Sequence, residues 1–524
     1  PVSIGAYGGE TDNWGWPQHK GDFAMYRVYS APDGKPGAYS EKNVPLKAKR
    51  YLTISAKGVK ENDYTMILGY PGRTNRYTSS FELREKYSIL NPVVSGVRRA
   101  KLDVWKKYME SSDAIRLKYA DKYFGISNYT DYAKWENICI NRFGIIAQLE
   151  ANEARLAQWI NSNPERKAKY GNVLEDLANG YKQIESITRI KEYFRESMVR
   201  GAEFTGIGQR FNSLVMNVQR AGKDSIFPSD SNVVFFYKKV AKKLFEESDV
   251  NADRELFKVM LRYYVKEVPA SYQEKDFAEL LAKCGGNTDK LADFVYDNSV
   301  LTDESRLDNF FSQARSVNEL LADPIIIIVK STGIREYNRE EDEILKKASV
   351  DMSALKTSYT NAMYEMKREL GENVYPDANS TMRLTFGEVS GINAKDAVYY
   401  DYRTTTQGIL EKMDPTNYEF TLKPQYEKLL RAGDWGRWGE KGKLYVNFMS
   451  DNDITGGNSG SAVLNGKGEL IGLAFDGNRE SMAGDAYFVE GYNKCVNVDI
   501  RYVLWVIDKY AGATHLINEM TFAK

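Results

Sequence analysis

Histidine is nearly missing from this chain: His19 and His515 are the only two in 524 residues, so a metal centre would have to be almost all carboxylate. Cysteine is equally sparse. Cys139, Cys284 and Cys495 lie far apart with no CxxC pair, which allows one disulfide at most and argues against a zinc site. There is no excess of one charge either. Lys+Arg and Asp+Glu both number 72, so the basic footprint that nucleic acid or an anionic membrane demands is lacking. Long apolar runs are also lacking. The most apolar, Pro324 to Val329, is far too short to cross a bilayer, and Asp323 before Pro324 reads as the N-cap of a buried helix. Gly69-Tyr-Pro-Gly-Arg-Thr74 lacks the spacing and the lysine of a phosphate-binding loop. No initiator methionine, charged leader or apolar signal segment opens the chain at Pro1, so it reads as a fragment or processed product.

What remains is an ordinary globular composition, long enough for roughly two to four domains. Residues 1 to about 85 are rich in Gly, Tyr and β-branched residues, with short alternating runs at Phe23 to Val28 and Tyr64 to Leu68 that predict strands. From about residue 98 to 370 the pattern is helical: Phe143, Ile146, Leu149, Leu156, Trp159 and Ile160 fall on one face, with no fixed repeat period. Strand character returns at Met382 to Val389, Val398 to Tyr402 and Leu444 to Val498, and Tyr502 to Tyr510 reads as a helix. The order β, α, β suggests a β-protein interrupted by a helical insertion.

The segment Thr455-Gly-Gly-Asn-Ser-Gly-Ser461 lies between strand-like runs. A serine lodged among glycines at such a turn can expose its hydroxyl and offer the N–H groups of Gly457 and Ser459 to a developing oxyanion. Alone, the heptapeptide also describes a hairpin loop. Three further motifs accompany it: Asn13-Trp-Gly-Trp-Pro-Gln-His-Lys-Gly-Asp-Phe23, Gly69 to Thr74, and Tyr375-Pro-Asp-Ala-Asn379 through Arg383-Leu-Thr-Phe-Gly387. Together they resemble the bacterial dipeptidyl peptidase 7 and 11 family, most specifically over residues 12 to 80 and 375 to 510.

That resemblance implies a chymotrypsin-like double β-barrel with a large α-helical domain inserted. Residues 1–90 would be the C-terminal part of a first barrel, incomplete in this chain, residues 91–372 the helical cap, and residues 373–524 the second barrel with the nucleophile loop. It implies a serine exopeptidase that releases dipeptides from oligopeptides with a free N-terminus, through an acyl-enzyme and without cofactor, as a periplasmic or secreted homodimer. Matched by motif, Ser459 is the nucleophile, Asp22 the triad aspartate, and Gly457 with Ser459 the oxyanion-hole donors. Asp476 matches the carboxylate that binds the substrate amine, Asn13 an amine-contacting asparagine, and Trp14 its neighbour. A helical-domain asparagine corresponds to Asn128, with Asn137 as competitor.

Gly477 stands where acidic-specific members carry arginine, which favours a bulky apolar P1 residue. Arg479 would share its face if the strand continued, keeping an Asp/Glu-specific enzyme as the alternative. The family's triad histidine lies upstream of the Asp22 motif, and so before Pro1. His19 is too close to Asp22 in sequence to replace it, and His515 matches nothing catalytic. The chain alone is therefore expected to be inactive, and a non-catalytic peptide-binding relative is the other alternative.

Overall fold

A computed structural model describes residues 2–220, 226–227, 232–273, 275–330 and 334–524. The chain divides into two compact units: residues 1–78, 138–145 and 374–524, and residues 79–137 and 146–373.

The first unit is organised by a seven-stranded antiparallel sheet. Its strands are β1 (Tyr64–Gly69), β2 (Arg383–Glu388), β3 (Arg403–Thr405), β4 (Tyr445–Ser450), β5 (Ala462–Leu464), β6 (Leu470–Gly477) and β7 (Cys495–Asp499), in the spatial order β2-β1-β5-β6-β7-β4-β3. The central strands β4 and β7 are buried at every position, whereas β2 alternates half-buried and exposed residues as a strand with one solvated face should. The sheet curls on itself: Val389, just past β2, bridges Ser450 of β4, and Asp451 N–H donates to Glu388 O at 3.0 Å. Ile67, Phe448, Val463, Ile471, Ala474 and Cys495 pack inside the curl. A second apolar layer around Tyr7, Trp438, Tyr502 and Trp505 covers its outer side.

Two expectations change here. β1, read from sequence as part of a first barrel, hydrogen bonds between β2 and β5 and so shares a sheet with the Ser459 loop. Phe23 to Val28, expected as a strand, pairs with no strand. Met25, Tyr26 and Val28 are exposed, and pairing resumes only in the short ribbon Tyr29–Ser30 with Val44–Pro45. Alternation records which way side chains point; it does not supply a partner strand. The expected C-terminal helix begins at Ile500 and runs on as a wider turn to Tyr510.

The second unit is helical. Phe194, Phe204, Phe211, Leu261, Tyr264 and Ile325 lie in its main core, and side-chain caps start many of its helices. Asn163, Asp249, Asn287, Asp303 and Asp351 each accept N–H groups of a first turn, contacts worth ~1 kcal/mol apiece. Asp323 does the same before helix Pro324–Lys330, accepting Ile325 N–H at 2.9 Å, as the sequence suggested. Leu149, Leu156, Trp159 and Ile160 form the buried face of helix Ile145–Asn161.

Candidate active site

The Ser459 loop joins β4 to β5, and its shape follows from a few fixed contacts. Buried Asn458 donates to Thr455 O through both its N–H and its Nδ2, each at 3.1 Å, and Ser461 N–H donates to Asn458 O at 2.9 Å. Gly460 N–H reaches Ala474 O of β6 at 2.7 Å. Gly457 sits at φ +107°, and a Cβ there would lie 2.4 Å from Tyr70 O and 2.9 Å from Gly72 N. Both the backbone and the space therefore demand glycine. The Gly69 to Gly72 motif is the seat of this loop, because Gly72 N–H donates to Gly456 O at 2.7 Å and Gly69 lies against the Asn458 amide. Ser459 stands exposed with Oγ 3.4 Å from Phe475 O. Among the described residues no acceptor takes the N–H of Gly457 or Ser459, as oxyanion donors require.

One residue beyond Phe475, Asp476 enters a ring of donors. Gln18 Nε2 donates to its Oδ2 at 2.7 Å, and Gly477 N–H to its Oδ1 at 3.0 Å. Burial raises the Asp476 carboxyl above its ordinary value, opposed by the charge of Lys20 and by hydrogen bonds from Gln18, Gly477 and the Trp14 backbone. Trp14 reaches this position with φ +57°, and buried Asn13 precedes it. The structure thus brings the Trp14 backbone onto Asp476, the residue after the Phe475 carbonyl that Ser459 Oγ faces, while the carbonyl of Asn13 accepts from Arg479. The 13–23 segment is anchored to the sheet by Gln18 on Asp476, by Asn447 Nδ2 on Lys20 O at 2.9 Å, and by Gly21, which lies against Tyr502.

Asp22 follows that anchor and is exposed at the surface of this chain. Partial desolvation raises its carboxyl, opposed by Lys20. His19 points away from such chemistry. It is buried against Gly408, its Nδ1 has no hydrogen-bond partner among the described residues, and burial, aided by the charge of Lys412, pushes its pKa down to about 3. His515 lies exposed in the short helix Thr514–Asn518.

Gly477 ends β6, and a Cβ there would lie 2.9 Å from Ser481 Oγ. The strand does not continue to Arg479, which opens a 3-10 turn instead. Its guanidinium turns back to Thr11 O at 3.1 Å and Asn13 O at 3.4 Å, because the bend after Gly477 aims it at the 11–15 loop. In the helical unit, Asn128 falls in the interior of helix Asp113–Arg142. Asn137 is held inside that unit, donating to Tyr87 O and accepting from Asn91 Nδ2, both at 2.8 Å. A cavity of about 440 Å³ in the same unit is neutralised from within: Arg98 grips Glu196 at 2.6 and 2.9 Å, and Lys101 Nζ donates to Arg200 O and Gly201 O.

The family profile described as Peptidase S46 matches residues 1–522. The chain belongs to the peptidase S46 family. Among its S46 relatives, dipeptidyl-peptidase 7 of Phocaeicola vulgatus is 37% identical, the alignment covering 100% of this chain and 71% of that protein. The Asp/Glu-specific dipeptidyl-peptidase of Capnocytophaga gingivalis is 35% identical over 100% of this chain and 72% of its own length. The crystal structure of Porphyromonas endodontalis DPP11 in complex with the dipeptide Arg-Glu superimposes with a TM-score of 0.87 at 29% identity, covering 100% of this chain and 74% of that one. This S46 chain, with a largely helical unit and a β-sheet unit, is similar in fold to the DPP11 structure. Among the described residues no helix is long and apolar enough to cross a membrane.

The motif matches give no role to Gln18 or Lys20, although both lie in the Trp16 to Asp22 motif. A polar amide between proline and histidine in a segment destined for burial was the available signal.

Proposed function

We propose that this S46 protein is a serine dipeptidyl peptidase in which Ser459 forms an acyl-enzyme with the first two residues of a peptide and Asp476 binds their free amine. The observation that carries the reading is adjacency. Ser459 Oγ faces Phe475 O, and the next residue is the carboxylate held by Gln18, Gly477 and Trp14. Two extended residues span at most about 7 Å, so a cation bound there leaves room for a dipeptide before the nucleophile. Oxyanion stabilisation falls to the N–H groups of Gly457 and Ser459, and Asp22 orients the imidazole that takes the serine proton.

That imidazole is neither His19, sealed and neutral, nor His515. The isolated 524-residue chain should therefore turn peptide over roughly 10⁴-fold or more below the intact protein, the scale of losing a triad member. For the P1 residue, Gly477 and the diversion of Arg479 to the Thr11 and Asn13 carbonyls favour a bulky apolar side chain. A P1 carboxylate would meet no dedicated cation there. The curled sheet supports the second barrel of a chymotrypsin-like pair, and by resemblance the protein is a periplasmic or secreted homodimer.

The test is hydrolysis of dipeptidyl fluorogenic amides by the intact protein. Release of free dipeptide, lost in Ser459→Ala and on N-acetylation of the substrate, is expected. Equal cleavage of acetylated and free substrates would make it an endopeptidase.

A further inference from the structure

Gln18 is fully buried and sits 458 positions before Asp476 in the chain, yet its Nε2 donates to Asp476 Oδ2 at 2.7 Å. The other end of the same amide has no partner: Oε1 is buried without a hydrogen bond among the described residues. A buried acceptor left unpaired is unfavourable, and a leucine or methionine of similar volume would avoid the penalty. What the glutamine provides and they cannot is the donor on Asp476. The amide orientation is fixed by chemistry, since turning it over would set Oε1 against the carboxylate.

Asp476 needs this donor because its own strand cannot hold it. Gly477 N–H engages only Oδ1, and β6 ends at Gly477. The Trp14 backbone also donates to Asp476, but Gln18 is the side chain that holds Oδ2, and without it the carboxylate is left to backbone donors alone. Among the described residues, the ionisable groups that act on or feel Asp476 are Lys20, on the Gln18 segment, and the Cys495 thiol on β7, which pairs with Gly477. Neither forms a hydrogen bond with Asp476, and the thiol stays protonated because burial raises its pKa.

We propose that Gln18 is the positioning residue of the amine-binding carboxylate: it fixes the direction in which Asp476 presents its remaining lone pairs to the substrate's ammonium group. The proposal rests on the amine-binding role given to Asp476 above. It differs from it in placing selectivity for the free N-terminus partly on a residue of the 13–23 segment that does not touch the substrate.

The experiment measures kcat and KM from pH 4.5 to 9 in the intact protein, with a free-amine dipeptidyl amide, for wild type, Gln18→Leu and Gln18→Glu. Gln18→Leu removes the donor and should raise KM about tenfold while kcat changes less than threefold, the scale of losing one hydrogen bond to a charged group. Its acid limb in 1/KM should move to higher pH, because a carboxylate that loses a donor holds its proton more tightly. Gln18→Glu, isosteric but acidic, should be worse than leucine at pH 7 and recover toward pH 5, where the introduced carboxyl, once protonated, can donate again. Wild-type KM and pH profile in both variants would overturn the proposal. So would a parallel fall in kcat and melting temperature, which would make Gln18 merely structural. Asp476→Asn separates the two readings: if it leaves KM for free-amine substrates unchanged, the amine site itself is wrong. If it is severe while both Gln18 variants are silent, only the role of Gln18 falls.

Discussion

Replacing Asp476 by asparagine keeps the shape of the site and removes its charge. The Oδ1 contact with Gly477 N–H can survive; what disappears is the counter-ion for a substrate ammonium whose pKa is about 7.7 to 8.0. Removing one partner of a buried, hydrogen-bonded charge pair costs about 2 to 5 kcal/mol, roughly 30-fold to 5,000-fold in kcat/KM. Asp476 is only partly covered in this chain, so the lower half of that span is expected. Acetylated substrates should barely change. The pH dependence is sharper evidence and is best read as peptide affinity in a Ser459→Ala background, where no catalytic base intrudes. Burial raises the Asp476 pKa above its ordinary value of 3.8, so affinity should fall as pH drops through that raised value. It should fall again as pH rises past ~8 and the peptide amine loses its proton. In Asp476→Asn the acid limb should vanish. Equal affinity for free and acetylated peptides, or an affinity flat from pH 7 to 9.5, would refute the assignment.

Gly457→Ala should lower kcat by roughly 10²- to 10³-fold with little change in KM, since its Cβ would meet Tyr70 O and displace an oxyanion donor; single-turnover acylation reads this directly. Gly477→Arg should shift the ratio of kcat/KM for matched P1 Leu and Glu substrates toward Glu, provided Ser481 gives way. A native acidic preference that disappears in Arg479→Ala would show that Arg479 is the specificity residue instead. His19→Gln should not abolish activity. Because folding lowers the pKa of His19 to about 3, the unfolded chain takes up a proton below its ordinary 6.5 that the folded chain refuses. Wild type should therefore lose up to ~1.4 kcal/mol of stability per pH unit between those values, and the variant less, as urea melts at pH 4 and 7 would show.

Where local pattern sufficed, the sequence was a good guide. β2 occupies Arg383–Glu388 within the Met382 to Val389 run that reads as a strand, and the Asp323 cap sits where an acidic residue before proline predicts it. The errors lie where partners come from afar. β1 alternates as a strand should, but nothing in Tyr64 to Leu68 says that its neighbours are Arg383–Glu388 and Ala462–Leu464, some 300 to 400 residues on. Phe23 to Val28 alternates too and finds no strand. Arg479 would share the Gly477 face only along an unbroken strand. The strand ends one residue after Asp476, so that carboxylate stands at a strand terminus and must be held from outside.

The need for outside support explains why the Trp14 to Asp22 segment is so densely polar for a stretch that is largely buried. Lys20 lies within the electrostatic reach of both Asp22 and Asp476, lowering the pKa of each against the opposing effect of desolvation. Two carboxylates with different assigned tasks, one to orient a base and one to bind a cation, thus share a single ammonium group. Had Lys20 formed a close ion pair with Asp476, it would compete with the substrate amine for the same oxygens. It acts at longer range instead, and the direct contacts are left to neutral donors: Gln18, Gly477 and the Trp14 backbone. Neutral donors hold a carboxylate in its charged form without cancelling that charge, which is what a site for an incoming ammonium requires.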